Sequence, residues 1–329
     1  MSGPAEPPEG PSPGRGDEGF ALLPRTEQDP RLSVCIVTWN CRDLVLDCLA
    51  SLQGGNDSVS YETIVVDNAS GDGTVEAIRA RFPAVTVVAR DTNVGFAAGN
   101  NEAMRLARGE CMFLLNPDTV LPEGALVELL EVADANPRAG AIGPKLLNPD
   151  GSLQYSCRRF PRPWAALFRN TLFGRLFPRE HWTRDYVMAD WDHDELRDVD
   201  WVSGAAVLLR RAAVAEVGGL DEGYFWGSED VDYCRRLAKA GWRVLYTPRP
   251  AIVHVIGGST DRAVLATIRR RHASWYRLYV KHFSRTPVDR AALWVLIWLR
   301  AGLLAASWLG RTLWGKLTNP LRRALRRRS

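Results

Sequence analysis

No two of the six cysteines, Cys35, Cys41, Cys48, Cys111, Cys157 and Cys234, form a C-x-x-C pair. Their spacing favours buried free thiols in a reducing compartment over a cysteine framework. The chain opens with no charged-then-apolar stretch of the secretory kind. Residues 1–30 hold seven prolines and five glycines among scattered acids and read as a disordered leader, with the body facing the cytoplasm. No acid occurs in residues 311–329, which carry seven Lys/Arg. The rest of the chain holds 35 basic against 38 acidic residues, so the net charge of +4 belongs to the tail. A basic body would point to nucleic acid. A basic tail beside Trp-rich apolar sequence points to anionic lipid instead, with no nucleic acid among the partners. There is no internal repeat.

What is present is alternation. The run LSVCIVTWN from Leu32 is short, apolar and rich in β-branched residues, so it predicts a buried strand, and order is expected to begin there. In CRDLVLDCLASLQ, residues Leu44, Leu46, Cys48, Leu49 and Leu52 recur at helical spacing. The strand YETIVVDNAS, the helix TVEAIRARF, the strand VTVVAR, a helix from NVGFAAGNNEAMRLA and the strand CMFLLNPD follow. Strand and helix thus alternate repeatedly between Leu32 and Asp118, which predicts an α/β fold: an open, mostly parallel sheet with helices on both faces. Farther on, GALVELLEVADAN reads as a helix, GAIGPKLLNPDGSLQ as a strand and an Asp-Gly turn, and DWVSGAAVLLRR as one strand followed by a short helix. RVLYTPRPAIVHV is the last strand and ends near His254, whereas residues 157–200 are irregular.

In such sheets ligands bind outside the carboxyl ends of the strands. Polar residues stand at three of those ends: Thr38 and Asn40, Asp67 and Asn68, Asn116 and Asp118. One such end is ordinary turn chemistry, but three in succession predict a shared site. A nicotinamide dinucleotide needs G-x-G-x-x-G at the first strand-to-helix turn. Here that turn is Thr38-Trp39-Asn40-Cys41, without glycine, so a pyrophosphate must be met by another device. Asn116-Pro117-Asp118 offers a carboxylate for Mg²⁺ or Mn²⁺, ions that take further ligands from water and phosphate. His254 becomes a second ligand only if the fold brings it there; taken singly, the two features are equally an ordinary turn and a structural histidine. The densest cluster is Glu229-Asp230-x-Asp232, preceded by Phe225-Trp226-Gly227-Ser228. It reads either as a helix start capped by Ser228 with acids suiting the dipole, or as a general base beside an aromatic wall for a sugar ring.

Taken together these segments resemble the inverting glycosyltransferases of the GT-A fold, family 2. The match runs from Leu32 to Thr260 through SVCIVTWN, VVDNASGDGT, NVGFAAGNN, LLNPDT, DWVSGAA, GSEDVDYCRRLAKAGW and HVIGGST. Within that family it looks most like bacterial rhamnosyltransferase-like enzymes of cell-surface polysaccharide assembly. The resemblance implies a nucleotide-diphosphate sugar as donor, with dTDP-rhamnose and UDP-linked sugars as the candidates, and a glycan or lipid-linked saccharide as acceptor. It implies that Thr38, Asn40, Asp67, Asn93 and Gly95 shape the nucleoside pocket and that Asn116, Asp118 and His254 hold the metal. It also implies Asp230 as base with Glu229 alongside, and Ser203, Gly204, Trp201 and Trp226 as walls for donor sugar and acceptor. Asn116 departs from the family's D-x-D pattern, since it is a neutral ligand. A nucleotidyltransferase and an inactive glycan-binding homologue are the competing readings; the first normally carries a glycine-rich basic signature near the first strand, absent here.

Three segments are expected: the leader 1–30, a GT-A domain over 31–285 and a membrane-associating extension over 286–329. Residues 291–310 are long enough to span a bilayer, but Arg300 sits mid-segment. On a helical wheel Asp289, Arg300, Ser307 and Arg311 fall within about 40° of one another. That narrow polar stripe predicts an amphipathic helix lying in the inner face of the cell membrane, with a packed helix and a true span as alternatives.

Overall fold

The structure, a computed structural model, describes residues 20–56, 58–161, 184–225, 227–255 and 264–326. Trp226 and residues 256–260 of HVIGGST lie outside the described residues.

The alternating first half folds as its pattern predicts. Strand β1 (Leu32–Thr38) is buried throughout; β2 (Tyr61–Asp67) and then β3 (Thr86–Ala89) lie on one side of it and β4 (Cys111–Leu115) on the other, all parallel. The crossovers are α1 (Arg42–Ser51), α2 (Thr74–Arg81) and α3 (Phe96–Leu106). Next come β5 (Thr119–Val120), α4 (Ala125–Ala135), β6 (Ala139–Leu147) and the short strands β7 (Leu153–Gln154), β8 (Cys157–Arg158), β9 (Arg197–Asp198) and β10 (Trp201–Val202). The chain continues through β11 (Ala206–Arg210), α5 (Arg211–Val217), α6 (Glu229–Lys239), β12 (Arg243–His254), α7 (Val264–His282) and α8 (Pro287–Arg326). The main sheet runs β3-β2-β1-β4-β11-β6-β12-β5, with β7 on β6 and β9 on β12. β11 enters antiparallel between β4 and β6, so the sheet is mixed but mostly parallel.

Period-two alternation along the central strands builds a core on each face. Leu32, Val34 and Ile36 of β1 with Phe113 and Leu115 of β4 pack under α1 and α4, while Cys35, Val37, Met112 and Leu114 face α3 and α6. All six cysteines are buried and free, as their spacing suggests.

Four expectations need correcting. DWVSGAAVLLRR is not one strand: β10 pairs with β8 in a separate ribbon, and the chain turns at Ser203-Gly204-Ala205 before entering the main sheet as β11. Packing does not begin at Leu32. Phe20 lies against Gly219 and under the Arg105 guanidinium, and Arg211 donates to the Leu23 carbonyl, so the last third of the leader is bound to the body. Ser228 does not cap α6 through its side chain; it takes a left-handed backbone with φ 76° and offers its carbonyl to Asp232 N–H at 3.0 Å.

The fourth concerns α8: Asp289 and Ser307 of its polar stripe are exposed, but Arg300 does not face water. Arg300 is 8% exposed and turned toward α7, where Nη1 donates to His272 Nε2 at 2.9 Å and the guanidinium sits 4.7 Å from the Trp275 ring centre. Leu293, Ile297 and Ala301, one helical turn apart, are buried on the same side. The wheel gave the angles correctly but not which side would find a partner; an aromatic α7 surface accepts a guanidinium over its rings. Large apolar side chains are exposed on α8 as well: Val288, Trp294, Val295, Leu299 and Leu303 are each more than half open.

Candidate functional site

The polar residues at the strand ends do gather along one edge of the sheet, with distinct environments. Thr38 is buried, its hydroxyl 3.1 Å from Cys41 Sγ. Asn40 ties two loops together: its N–H donates to Ser70 Oγ and its side-chain oxygen accepts from Gly71 N–H, both at 2.8 Å. Asp67 accepts from Ser70 N–H at 2.8 Å through Oδ2, while its buried Oδ1 has no hydrogen-bond partner among the described residues. Asn93 Oδ1 accepts from Gly95 N–H at 2.9 Å. Gly95 has φ 89°, and a Cβ there would come within 2.6 Å of the Phe225 carbonyl, so this turn needs a glycine twice over. Asn68, at the end of β2, pins the same turn by donating to Gly95 O at 3.2 Å.

The second corner joins distant parts of the chain. β5 pairs antiparallel with β12, which sets His254 opposite Thr119. His254 Nε2 consequently lies 3.3 Å from Asp118 Oδ1 and 3.4 Å from Asn116 Nδ2, across 138 residues of sequence in the latter case. Gln154 fixes the ring. Its Nε2 donates to the His254 carbonyl at 2.6 Å, so its Oε1, 3.0 Å from Nδ1, must accept the Nδ1 proton. The Nε2 lone pair then faces Asp118 Oδ1, a buried oxygen with no hydrogen-bond partner among the described residues. Two acceptors in contact repel unless a proton or a cation joins them. An imidazole oriented through its other nitrogen and an unpaired carboxylate oxygen fit a divalent cation. No third His, Cys, Asp or Glu completes a metal cluster among the described residues, which leaves further positions to phosphate and water. Asn116 turns its amide nitrogen to His254, and ligation by its oxygen requires a flip of that amide.

The third corner is the start of α6, where the three acids have three different environments. Glu229 is 6% exposed with Oε2 unpartnered; burial, then the charge of Asp230, push its carboxyl up to about 8. Asp230 is also raised by burial, against the bonds that Val231 N–H gives to Oδ1 at 2.8 Å and Gly204 N–H gives to Oδ2 at 3.3 Å. It lines a cleft with Phe96, Val202, Gly204 and Tyr233. Burial acts to raise Asp232 too, but His282, Arg236 and Lys281 outweigh it and hold Asp232 well below the usual carboxylate range. Lys281 also reaches Asp221 at 2.7 Å, and Arg277 joins Asp221 at 2.7 Å, so α7 is clamped to the acidic helix by charge.

The Ser203-Gly204-Ala205 turn connects the corners. Ser203 N–H donates to Ser156 O at 2.7 Å, Gly204 N–H to Asp230, and Ala205 O accepts from Asn116 N–H at 2.8 Å. Trp201, expected as an open wall, is instead packed in the core at 7% exposure, with Nε1 donating to Arg159 O at 2.9 Å. Its cross-strand neighbour Arg158 covers it, 5.2 Å from the ring centre. Gln154 and Arg158 are among the residues at this site that the sequence pattern did not single out. Gln154 closes the Asp-Gly turn that was visible; Arg158 lies in a stretch without period.

The Glycosyltransferase like family 2 matches residues 30–277. The chain is 34% identical over 298 residues to the N-acetylglucosaminyl-diphospho-decaprenol L-rhamnosyltransferase of Mycobacterium tuberculosis, covering 85% of this chain and 95% of that protein. It is 26% identical to the rhamnosyltransferase WbbL of Escherichia coli over 67% of this chain and 82% of that one. Among solved structures, a mannosyltransferase from Pyrobaculum calidifontis, in complex with GDP-Man and Mn²⁺, superposes with a TM-score of 0.54 at 21% identity, covering 93% of this chain and 86% of that one. A mixed, mostly parallel sheet with polar strand ends, a glycine-free first turn and an acidic helix beside them is the GT-A arrangement, and this chain belongs to the glycosyltransferase-like family 2.

Proposed function

We propose that the chain is a metal-dependent inverting rhamnosyltransferase that extends a polyisoprenyl-diphosphate saccharide at the inner face of the cell membrane. The observation that carries this reading is the meeting of Asp118, Asn116 and His254 at one side of a turn whose Gly204 N–H holds Asp230. The donor diphosphate belongs at the first group and the attacking hydroxyl at the second. Asp118 and His254, with Asn116 after an amide flip, would hold a divalent cation, Mg²⁺ or Mn²⁺, whose charge would offset that left on the departing nucleoside diphosphate. The unpartnered Asp67 Oδ1 is an acceptor awaiting a donor from the nucleoside, and the Gly95 turn bounds that pocket.

Asp230 Oδ1 or Oδ2 takes the proton from an acceptor hydroxyl as that oxygen bonds to the anomeric carbon. The bond from that carbon to the diphosphate oxygen breaks on the opposite side, so configuration inverts in one displacement. A raised carboxyl is the better proton acceptor once ionised, which suits Asp230 to this role. Glu229 and Asp232 suit it less: Glu229 is buried and its carboxyl is raised further, and Asp232 is engaged by Arg236, Lys281 and His282.

The choice of a lipid-linked acceptor draws on the M. tuberculosis relative, whose name specifies a diphospho-decaprenol substrate. It also agrees with α8. Pro287–Gly310 is long and apolar enough to cross a bilayer, and its open face of Val288, Trp294, Val295, Leu299 and Leu303 runs on into the seven basic residues of the tail. With its inner face packed on α7, this helix lies along the surface, apolar side down, with the tail on anionic headgroups. The 31–285 body and the 286–329 extension are on this view one unit joined through α7. The deciding experiment offers dTDP-rhamnose and UDP-sugars to the full chain with short-chain polyprenyl-diphosphate N-acetylglucosamine, with and without Mn²⁺. Metal-dependent transfer from dTDP-rhamnose is expected; transfer from a UDP-sugar alone rules out the rhamnosyl assignment.

A further inference from the structure

Among the described residues Arg158 is a cation without a counter-charge, in a neighbourhood where others have one. Arg159 pairs with Asp185 at 3.1 Å, Arg184 with Asp190 at 2.6 Å and Lys145 with Asp194 at 2.5 Å. Arg158 has no carboxylate within ion-pair distance among the described residues. Its Nε donates to Tyr155 O at 3.2 Å, and its two terminal nitrogens make no hydrogen bond to any described residue. The guanidinium is braced by two rings, with centres 5.2 Å away in Trp201 and 5.6 Å away in Tyr186. Rings in these positions stiffen a cation without neutralising it. The position is set by backbone as well: Arg158 faces Trp201 across the β8–β10 ribbon, and the same ribbon leads directly into Gly204, whose N–H holds Asp230. The charge is close enough to Asp230 to act on its proton affinity, lowering it.

We propose that Arg158 binds the diphosphate of the acceptor, anchoring a polyisoprenyl-diphosphate saccharide so that its first sugar reaches Asp230. A guanidinium braced at Nε presents its terminal N–H groups as a fork, the geometry that matches two phosphate oxygens. The donor diphosphate already has the Asp118 and His254 corner to meet it. An acceptor whose diphosphate is attached to the very sugar being extended needs a cation on the Asp230 side, about one sugar ring from the base, and Arg158 stands on that side. This also gives the buried Trp201 a purpose: it shapes the acceptor site through the cation it supports. The inference rests on the lipid-linked reading of the acceptor given above.

The test compares full-length wild type, Arg158→Gln and Arg158→Lys with two acceptors: N-acetylglucosamine linked through diphosphate to a short polyprenol, and the uncharged octyl glycoside of the same sugar. Wild type is expected to favour the diphosphate-linked acceptor by kcat/KM. Arg158→Gln should cut that preference at least tenfold, through KM for the acceptor and not for the donor, and Arg158→Lys should restore part of it. Equal losses on both acceptors, in Gln and Lys variants alike, mean a structural role and overturn the proposal. A rise confined to the donor KM assigns the cation to the donor and overturns it too. A wild type with no preference between the acceptors removes the lipid-linked reading itself, and with it this inference, which a variant-only failure does not do.

Discussion

His282 Nε2 lies 2.6 Å from Asp232 Oδ1, with both side chains sealed from solvent. The carboxylate two residues beyond Asp230 is therefore a fastening between α6 and α7, although in sequence the three acids of Glu229-Asp230-x-Asp232 look interchangeable. Removing one member of a buried ionic set costs about 3–5 kcal/mol, because the partners stay buried and uncompensated. Asp232→Asn should lower stability by that order at neutral pH. Asp232 is held below its ordinary value, so its contribution is complete above about pH 4 and is lost as the pH falls further. Thermal melts of wild type and variant should therefore converge in acid. A difference that grows on acidification refutes the fastening.

Asp230→Asn should cut turnover by about 10²–10⁴-fold while leaving donor binding close to normal, since the amide keeps the shape but accepts no proton. Because burial raises Asp230, the acid limb of kcat/KM should lie above the ordinary aspartate range. An acid limb at or below that range, or a variant that keeps most of its turnover, removes Asp230 from the role of base.

Glu229 carries the opposite linkage to Asp232. Its carboxyl is raised to about 8, so the folded protein holds a proton that the unfolded chain gives up near the ordinary glutamate value. Stability from this group is whole below about pH 4 and declines as the pH rises toward 8. Glu229→Gln cannot ionise and should gain on wild type across that interval, then run parallel above it. Melting temperatures measured from pH 4 to 9 decide it; a constant offset shows Glu229 to be unshifted.

Chelator should abolish transfer, and Mn²⁺ or Mg²⁺ should restore it. His254→Ala should weaken Mn²⁺ binding, read by calorimetry in the presence of the nucleoside diphosphate, without a matching drop in melting temperature. Gln154→Leu, which frees the imidazole to turn, should weaken it about 10–100-fold, as loss of an orienting partner does at metal-binding histidines. Unchanged Mn²⁺ affinity in both variants makes the His254 corner structural.

Leu299→Glu combined with Leu303→Glu should reduce sedimentation with anionic vesicles and leave transfer to a water-soluble acceptor intact, since both leucines are 60% exposed and distant in sequence from the site. High salt should release wild type in part. Removing the whole of α8 is a poorer test, because it uncovers Trp275 and Tyr279 on α7. Vesicle binding that survives both glutamates places the contact elsewhere.

The first four strands and their helices were legible because each carries its own period: alternation along β1 and β4, helical spacing along α1. The glycine-free turn after Thr38 was equally readable, since it is a local matter. His254 was visible only as a candidate, for its place beside Asp118 depends on β5 pairing with β12, a register no local pattern declares. Arg158 was hidden for a different reason: two-residue strands such as β8 are too short to show a period, and a lone arginine among Pro, Trp and Asp looks like surface. Trp201 and Arg300 misled in mirror-image ways. An aromatic in a motif suggested an open platform and an arginine in an apolar helix suggested water, yet Trp201 lies beneath Arg158 and Arg300 lies against Trp275.

Gly204 and Ala205 are consecutive residues; the first holds the carboxylate of Asp230 and the second holds the backbone of Asn116. The span from proton acceptor to metal corner is thus set by two residues of backbone, whose bond lengths are fixed and whose φ and ψ alone can change it. Side-chain changes in either core can shift the two corners together but have little purchase on the gap between them. Altering that gap takes a change in the turn's own backbone, so a lineage of such enzymes can exchange sugars and acceptors at the walls while the reach of its chemistry stays constant.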